Sequence, residues 1–310
     1  MFRPHTPYVA PKKYFDMYDM DEMKIPYDGS TDEYLSTIPL PAALSVRWKK
    51  DQSILNDKSN FKLAQEIKEA YYATTTFVDA QVGRILKKLK QTGLDKNTIV
   101  VFTSDHGYHL GEHGHWQKQT LFDNSTRVPL IFSGPGVEKG VRSNSPVELI
   151  DIYPTLMDLT EIETPSHVVG KSLKSIFTDS NHKVRKSALT RWRASQHGNL
   201  NFSESGIQGY SIKTERYRLT KWGESGEHGY ELYDHDNDKK EMINLANHPT
   251  YKSVIDSLKT HIDARIADAR KKPEGLGRQF EEQLLRKVNM TTGDLYDING
   301  KRIWERPADE

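Results

Sequence analysis

The densest group of reactive side chains lies between residues 104 and 118. It contains four histidines, an aspartate, a glutamate and a lysine: His106, His109, His113, His115, Asp105, Glu112 and Lys118. Carboxylate oxygens are the ligands that hard divalent cations prefer, whereas imidazole nitrogens suit zinc and also proton transfer. The segment therefore predicts a site for a divalent metal, for acid–base chemistry, or for both.

Two kinds of metal site are compatible with this composition. His109, His113 and His115 could converge on zinc, but the H-E-x-x-H spacing is absent and three interspersed glycines argue against a helix. A site with oxygen ligands around Asp105 is therefore favoured over a histidine-rich zinc site. For any single residue the simpler interpretation also stands, in which Asp105 caps a turn and the histidines are ordinary polar loop residues.

The elements before this segment predict how it is positioned. Apolar residues recur every three or four positions from Leu63 to Leu89 and indicate a long amphipathic helix that ends at Gly93. The β-branched run Thr98–Thr103 is typical of a strand buried on both faces of a parallel sheet. Ligands of open α/β sheets bind beyond the carboxyl ends of the strands, so Asp105 and His106 are expected at that edge.

The rest of the chain predicts two units. Residues 1–60 are rich in Pro and Tyr without a sustained period, which indicates an irregular segment with short helical turns. Beyond about residue 185, alternating apolar and polar residues indicate an antiparallel sheet with one packed helix, and Ile298–Lys301 contains the Asn-Gly pair of a hairpin. We predict part of an α/β domain at residues 1–185 and a small α+β subdomain at residues 186–310.

The predicted α/β unit is short of strands. A doubly wound sheet usually has about four to six strands or more, and residues 1–185 offer only two or three convincing ones. We therefore expect the sheet in this chain to be incomplete.

Composition excludes several classes of function. The 310 residues contain 44 Lys or Arg and 43 Asp or Glu, so no broad positive surface is expected for nucleic acid or anionic lipid. The chain has no cysteine, which excludes disulfides, zinc thiolate sites and a cysteine nucleophile. No apolar run approaches the roughly 20 residues needed to span a bilayer, and residues 1–5 do not resemble a signal peptide. Neither nucleic acid nor a membrane is an expected partner.

Seven short sequence motifs occur one after another along the chain. They are Arg3–Tyr8, Asp79–Leu86, Thr103–Lys118, Arg127–Ile131, Asp151–Leu156, Gly209–Arg218 and Glu231–Leu245. Together they closely resemble the sulfatase family, particularly its iduronate-2-sulfatase-like branch. The resemblance implies the α/β, alkaline-phosphatase-like sulfatase fold. This chain would hold the C-terminal part of the mainly parallel sheet with its flanking helices, plus the small antiparallel sheet with a packed helix.

The resemblance also implies roles for four residues. Asp105 and His106 would contribute to a Ca²⁺ site, and His5 and Lys118 would act on the sulfate group of a sulfated carbohydrate, as binding and catalytic residues. Hydrolysis of a sulfate ester builds negative charge on the leaving oxygen, which a cation and a proton donor stabilise. Without the resemblance, Lys118 would be taken for a solvated surface lysine and His5 for part of a frayed terminus.

Two parts of the family's site are absent from the sequence. The nucleophile is a formylglycine made from Cys or Ser in a C/S-x-P-x-R motif, and an adjacent pair of aspartates completes the metal site. The chain has no cysteine, no serine that begins such a motif, and no Asp-Asp dipeptide. We expect both parts in an N-terminal segment upstream of Met1.

Three functional interpretations remain open. The chain is the C-terminal part of a sulfatase, whose N-terminal part is missing from the sequence or forms a separate partner chain. Alternatively it is a remnant without catalysis that at most binds sulfated ligands. The third interpretation is a related metal-dependent phosphoesterase, which the match over Leu110–Lys118 disfavours. The first interpretation is preferred.

Overall fold

The computed structural model describes residues 3–26, 32–46, 55, 58–194 and 207–271, together with the backbone of three short strands near the C-terminus. The α-helices of this part are α1 (Lys12–Phe15), α2 (Asp32–Ser36), α3 (Leu40–Val46), α4 (Phe61–Gln91), α5 (Asp123–Thr126), α6 (Ile152–Leu159), α7 (Lys174–Thr178) and α8 (Lys252–Ala269). The strands are β1 (Val100–Thr103), β2 (Leu130–Ser133), β3 (Ala188–Ala194), β4 (Ile207–Lys213), β5 (Tyr217–Trp222), β6 (Tyr230–Asp234), β7 (Lys287–Val288), β8 (Leu295–Tyr296) and β9 (Arg302–Trp304).

The long predicted helix is confirmed as α4, which has 31 residues. It ends as expected, because Gly93 adopts a left-handed conformation with φ of 71° that glycine reaches without steric cost. The described part of residues 1–60 contains the expected short helical turns, and Tyr14 of α1 packs on Phe77 of α4. Among the described residues, no helix combines the length and the apolar character needed to cross a membrane.

The first sheet consists of β1 and β2, which pair antiparallel with Val100 opposite Ser133 and Thr103 opposite Leu130. This arrangement differs from the parallel pairing that the β-branched run Thr98–Thr103 suggested, and no parallel pair occurs in the part of the chain described. The reason is local. The loop between β1 and β2 brings its two ends together, because the Gly107 amide donates to the Ser125 carbonyl at 2.8 Å. Strand β2 therefore starts beside the end of β1.

The second sheet is the predicted antiparallel one, with the order β3-β4-β5-β6. Its buried residues Ile212, Leu219 and Leu232 form a core with one face of α8, on which Ile262 and Ile266 are also buried. The period of three and four residues in α8 and the alternation in the strands therefore produce one closed apolar layer. The predicted turn at Ile298–Lys301 lies outside the described residues, although its flanks β8 and β9 pair antiparallel.

Glu148 connects the two units that the sequence predicts, through an ion pair and a hydrogen bond with residues beyond the proposed boundary. The Arg185 guanidinium bonds the carboxylates of Glu148 and Asp151. Glu148 also accepts hydrogen bonds from the Leu189 amide at 2.7 Å and from Arg265 of α8 at 2.6 Å. The division at residue 185 remains a prediction. Residues on the two sides of it are joined by these hydrogen bonds and ion pairs.

Candidate functional site

Asp105 and His106 lie just beyond the end of β1, where the sequence places them. One carboxylate oxygen of Asp105 is 3.6 Å from Nε2 of His106, and the Asp105 side chain is largely exposed. Nδ1 of His106 lies 2.8 Å from the Gly107 carbonyl oxygen, an arrangement in which Nδ1 carries the proton and Nε2 keeps its lone pair. A carboxylate and an imidazole nitrogen therefore stand side by side, and this donor pair suits a divalent cation.

Gly107 fixes the position of this pair. A Cβ atom at this residue would lie 2.0 Å from the carbonyl oxygen of Asn124, so only glycine allows the chain to pass. The Gly107 amide is also bonded to Ser125 of α5. The conformation after His106 is thus set by contact with α5.

Lys118 lines the same broad, open cavity as Asp105 and His106. Its side chain is half-buried, and among the described residues no carboxylate lies within 4.0 Å of its amine. Two residues further on, Thr120 bonds both Nε2 of His109 at 2.9 Å and the Ser125 hydroxyl at 3.0 Å. Helix α5 therefore supports both the Asp105–Gly107 turn and the chain next to Lys118.

His5 is exposed and does not line the cavity that the described residues enclose. Its Nδ1 lies 2.8 Å from the Thr6 carbonyl oxygen. The N-terminal segment nevertheless reaches the site loop, because the hydroxyls of Tyr8 and Tyr108 lie 2.7 Å apart. Burial raises the pKa of both phenols, so they remain protonated. The structure thus brings together three of the four predicted residues and anchors the segment of the fourth nearby.

The remaining histidines of the loop form a buried cluster. The ring centroid of His109 lies 5.7 Å from that of His113 and 5.0 Å from that of His115. Both nitrogens of His109 have partners, the Glu112 carbonyl and the Thr120 hydroxyl. Burial lowers the pKa of His109 well below its usual range and that of His115 to about 4. All three rings are buried, so the interpretation as polar loop residues does not describe them. Zinc is not favoured either, because these three histidines do not form a group of converging ligand atoms among the described residues.

Sequence reasoning missed a buried ion-pair network that joins α5 to the small sheet. Arg218 of β5 donates to Asp123 of α5 at 2.6 Å and to Glu241 at 2.5 Å. Glu241 also accepts from the Asp123 amide at 2.7 Å and contacts Nε2 of His235 at 2.6 Å. Burial alone would raise the pKa of Glu241, but the Arg218 charge and the His235 contact lower it to about 2.

This network also contains a group of ligand atoms close enough for a metal. One atom each of Asp123, His235 and Glu241 lie within 4.8 Å of one another. The Arg218 guanidinium is hydrogen-bonded to both carboxylates, however, and already supplies the positive charge that they need. We interpret the group as structural, which leaves Asp105 and His106 as the candidate metal ligands.

The architecture can be compared with solved structures. A phosphonate monoester hydrolase from Silicibacter pomeroyi superposes with a TM-score of 0.76 at 24% identity, covering 99% of this chain and 59% of that chain. Solved sulfatase structures superpose as well. The fold is therefore the alkaline-phosphatase-like hydrolase fold, of which this chain contains a C-terminal part.

Sequence comparisons identify the family within this class. The profile described as Sulfatase matches residues 2–162, and the profile of the N-sulphoglucosamine sulphohydrolase C-terminal region matches residues 111–268. The chain belongs to the sulfatase family. A sulfatase from Formosa agariphila is 34% identical over 257 residues, covering 83% of this chain and 47% of the relative. Human iduronate 2-sulfatase is 28% identical over 314 residues, covering 79% and 56%.

The curated relatives are longer than this chain and carry several names. The chain spans about half the length of the curated relatives it matches. Relatives with several names match, including arylsulfatases, so the family is shown while the iduronate-2-sulfatase-like branch remains a prediction. Sulfatases are in general metal-dependent, which agrees with the expected metal site but does not identify the ion.

Proposed function

We propose that this chain is the C-terminal part of a sulfatase that hydrolyses a sulfate ester of a sugar. The observation that supports it is the placement of Asp105, His106 and Lys118 on one cavity beyond the end of β1. A sulfate group is bound by a metal-ligand pair together with an ammonium that, among the described residues, has no carboxylate partner. Sulfate carries charge on several oxygens, and charge-assisted hydrogen bonds to them are strong.

Asp105 and His106 would hold a Ca²⁺ ion. They supply two donor atoms, whereas Ca²⁺ takes six to eight ligands, so further oxygens must come from outside this pair. When bound, the ion supplies positive charge against the sulfate oxygens. The contact between Nδ1 of His106 and the Gly107 carbonyl orients the ring and, in the neutral imidazole, leaves the lone pair of Nε2 for this role.

Lys118 and His5 would act on the sulfate itself. The Lys118 ammonium has three N–H donors and can hold sulfate oxygens in place throughout the reaction. A protonated imidazole can give a proton to the leaving oxygen, which is the role proposed for His5. The formylglycine nucleophile would come from an N-terminal segment outside these 310 residues, possessed by the same protein or by a partner chain.

The test uses the native protein purified from its source. We expect its intact mass to exceed 35.6 kDa, or a second chain with a C/S-x-P-x-R motif to co-purify, and the preparation to release inorganic sulfate from sulfated sugars. Asp105→Asn should abolish Ca²⁺ binding in calorimetry and sulfate release together, since the metal loses a charged ligand. The matched control is Asp95→Asn, an exposed carboxylate before β1. Sulfate release that survives Asp105→Asn and chelation would contradict the proposal.

The second candidate is a non-catalytic protein that binds sulfated ligands. It is favoured by the absence of cysteine and of the nucleophile motif from the sequence. In that case the native mass is 35.6 kDa, nothing with the motif co-purifies, and sulfated sugars bind without sulfate release. A related phosphoesterase would instead release phosphate or phosphonate from the matching esters in the same preparation.

A further inference from the structure

The cavity that contains the candidate sulfate site has a positive lining. Nine Lys or Arg and five Asp or Glu line it, whereas the two kinds of charge nearly cancel in the whole chain. Four of the five acids lie within 4.0 Å of a Lys or Arg, and Asp105 is the exception. Of the nine cations, five have no carboxylate within 4.0 Å among the described residues: Lys118, Arg142, Arg191, Lys213 and Lys239. The lining therefore has room for more negative charge than a single sulfate group brings.

The surplus is clearest around α5, next to the ion-pair network. Three cations, Arg127, Lys213 and Arg218, share two carboxylates, Asp123 and Glu241. Arg218 takes the short contacts, so Arg127 is left 3.8 Å from Asp123, beyond hydrogen-bond distance. The Arg127 side chain is 81% exposed. An anion arriving from the cavity would meet positive charge that the protein itself does not neutralise.

Lys213 is held in a defined position at this point. Its ammonium donates to the carbonyls of Thr214 at 2.8 Å and Glu215 at 3.1 Å, which leaves one of its three N–H donors. Burial, with the nearby charges of Arg218 and Arg127, lowers the pKa of Lys213 to about 8 despite the opposing effect of Asp123 and Glu241. A bound anion would compensate for both the burial and the repulsion.

We propose that Arg127 and Lys213 form a second anion subsite, which takes another sulfate or carboxylate group of the sugar whose scissile sulfate lies at Asp105, His106 and Lys118. This inference rests on the proposed function and narrows its substrate class to sugars with at least two acidic groups. Arg127 directly follows the last residue of α5, and Lys213 is the last residue of β4 in the small sheet. The subsite therefore lies where the two parts of the chain meet. Substrates with a single sulfate would lack the second contact.

The experiment compares two probes by calorimetry at one fixed salt concentration, on the whole protein together with any chain that co-purifies with it. One is a galactose disaccharide with a sulfate on each ring, and the other is the same disaccharide with one sulfate. We expect the disulfate to bind about tenfold more tightly, as one additional charge-assisted hydrogen bond predicts. Arg127→Gln and Lys213→Met should each remove most of this preference while the affinity for the monosulfate changes less than about twofold.

Controls separate the possible outcomes. Lys87→Met removes an exposed lysine of α4 away from the cavity and should keep the preference. The subsite would be overturned if the preference for the disulfate were absent from the wild type, or if Lys87→Met removed it as well. The proposed function would still stand in either case, provided that Lys118→Ala weakens binding of the monosulfate. Failure of both sugars to bind would overturn both. Arg127 is exposed, so its variant tests the subsite even if Lys213→Met does not fold.

Discussion

The two main sheets of this chain differ in how completely they bury their side chains. In the four-stranded sheet, Ile212, Leu219 and Leu232 are inaccessible to solvent beneath α8. In the two-stranded sheet, Phe102 is 43% exposed and Ile131 is 56% exposed. The small sheet thus has a core of its own, whereas β1 and β2 carry the site loop on a sheet with an open apolar face.

The largest effect is expected where the two regions meet. Arg218→Met removes the one guanidinium that hydrogen-bonds both Asp123 and Glu241, which should lower the free energy of unfolding by about 3 to 5 kcal/mol. Arg270→Met is the matched control, because its ion pair with Glu224 is about half exposed on both sides and should contribute at most about 1 kcal/mol. Urea unfolding of both variants checks this. Similar small changes would show that the regions are not coupled through Arg218.

The same substitution in each sheet tests the difference in burial directly. Ile212→Ala removes a fully buried side chain and should cost about 2 to 5 kcal/mol. Ile131→Ala, in β2, removes a side chain that is more than half exposed and should change stability by less than about 0.5 kcal/mol. Chemical denaturation gives both values. If a partner chain covers β2, the cost of Ile131→Ala should grow in its presence, whereas equal costs in the isolated chain would contradict the comparison.

A smaller effect on stability is expected when the pH is lowered. The pKa of His115 is about 4 in the folded chain, because of burial, and about 6.5 in the unfolded chain. Since the unfolded state binds the proton more readily, the stability that neutral His115 provides is present above pH 6.5 and is lost as the pH falls towards 4. The slope is at most about 1.4 kcal/mol per pH unit. Below pH 6.5 the stability difference between wild type and His115→Asn should therefore shrink.

Measuring that difference isolates His115 from groups that act in the opposite direction. Glu231 is one of them, because burial raises its pKa to about 7, so acidification towards 4.5 favours the folded state. Its contribution is common to wild type and variant and cancels in the comparison. A difference that does not depend on pH would mean that His115 titrates normally.

The sequence predicts some parts of this molecule well. The period of α4, the glycine at its end and the alternation in β4 and β5 are local signals, and the structure confirms the elements that they predict. The position of Asp105 beyond β1 was predictable for the same reason, since it depends only on the end of a strand. The antiparallel pairing of β1 with β2 was not predictable, because it depends on the path of the loop between them. That path is set by the contact between Gly107 and Ser125.

The ion-pair network was beyond sequence reasoning for a different reason. Arg218 stands in a strand pattern between Tyr217 and Leu219, and a buried arginine needs acidic partners. Its partners Asp123 and Glu241 lie 95 residues before it and 23 residues after it. No spacing rule connects such positions. The buried state of His109 and His115 was hidden in the same way, because their cover includes Val46 from the N-terminal segment.

The network has a consequence for the order in which the chain is made. Proteins emerge from the ribosome N-terminus first, at about 5 to 20 residues per second. The loop of Asp105 and Lys118 therefore leaves the ribosome well before Arg218 and Glu241, the residues that secure Asp123 of α5. During that interval Asp123 lacks its hydrogen bond to Arg218, and the strand that carries Lys213 has not yet been made. The site can be completed only when the small sheet has been synthesised and docked, so a translation product that stops before Glu241 should retain the site residues without their final arrangement.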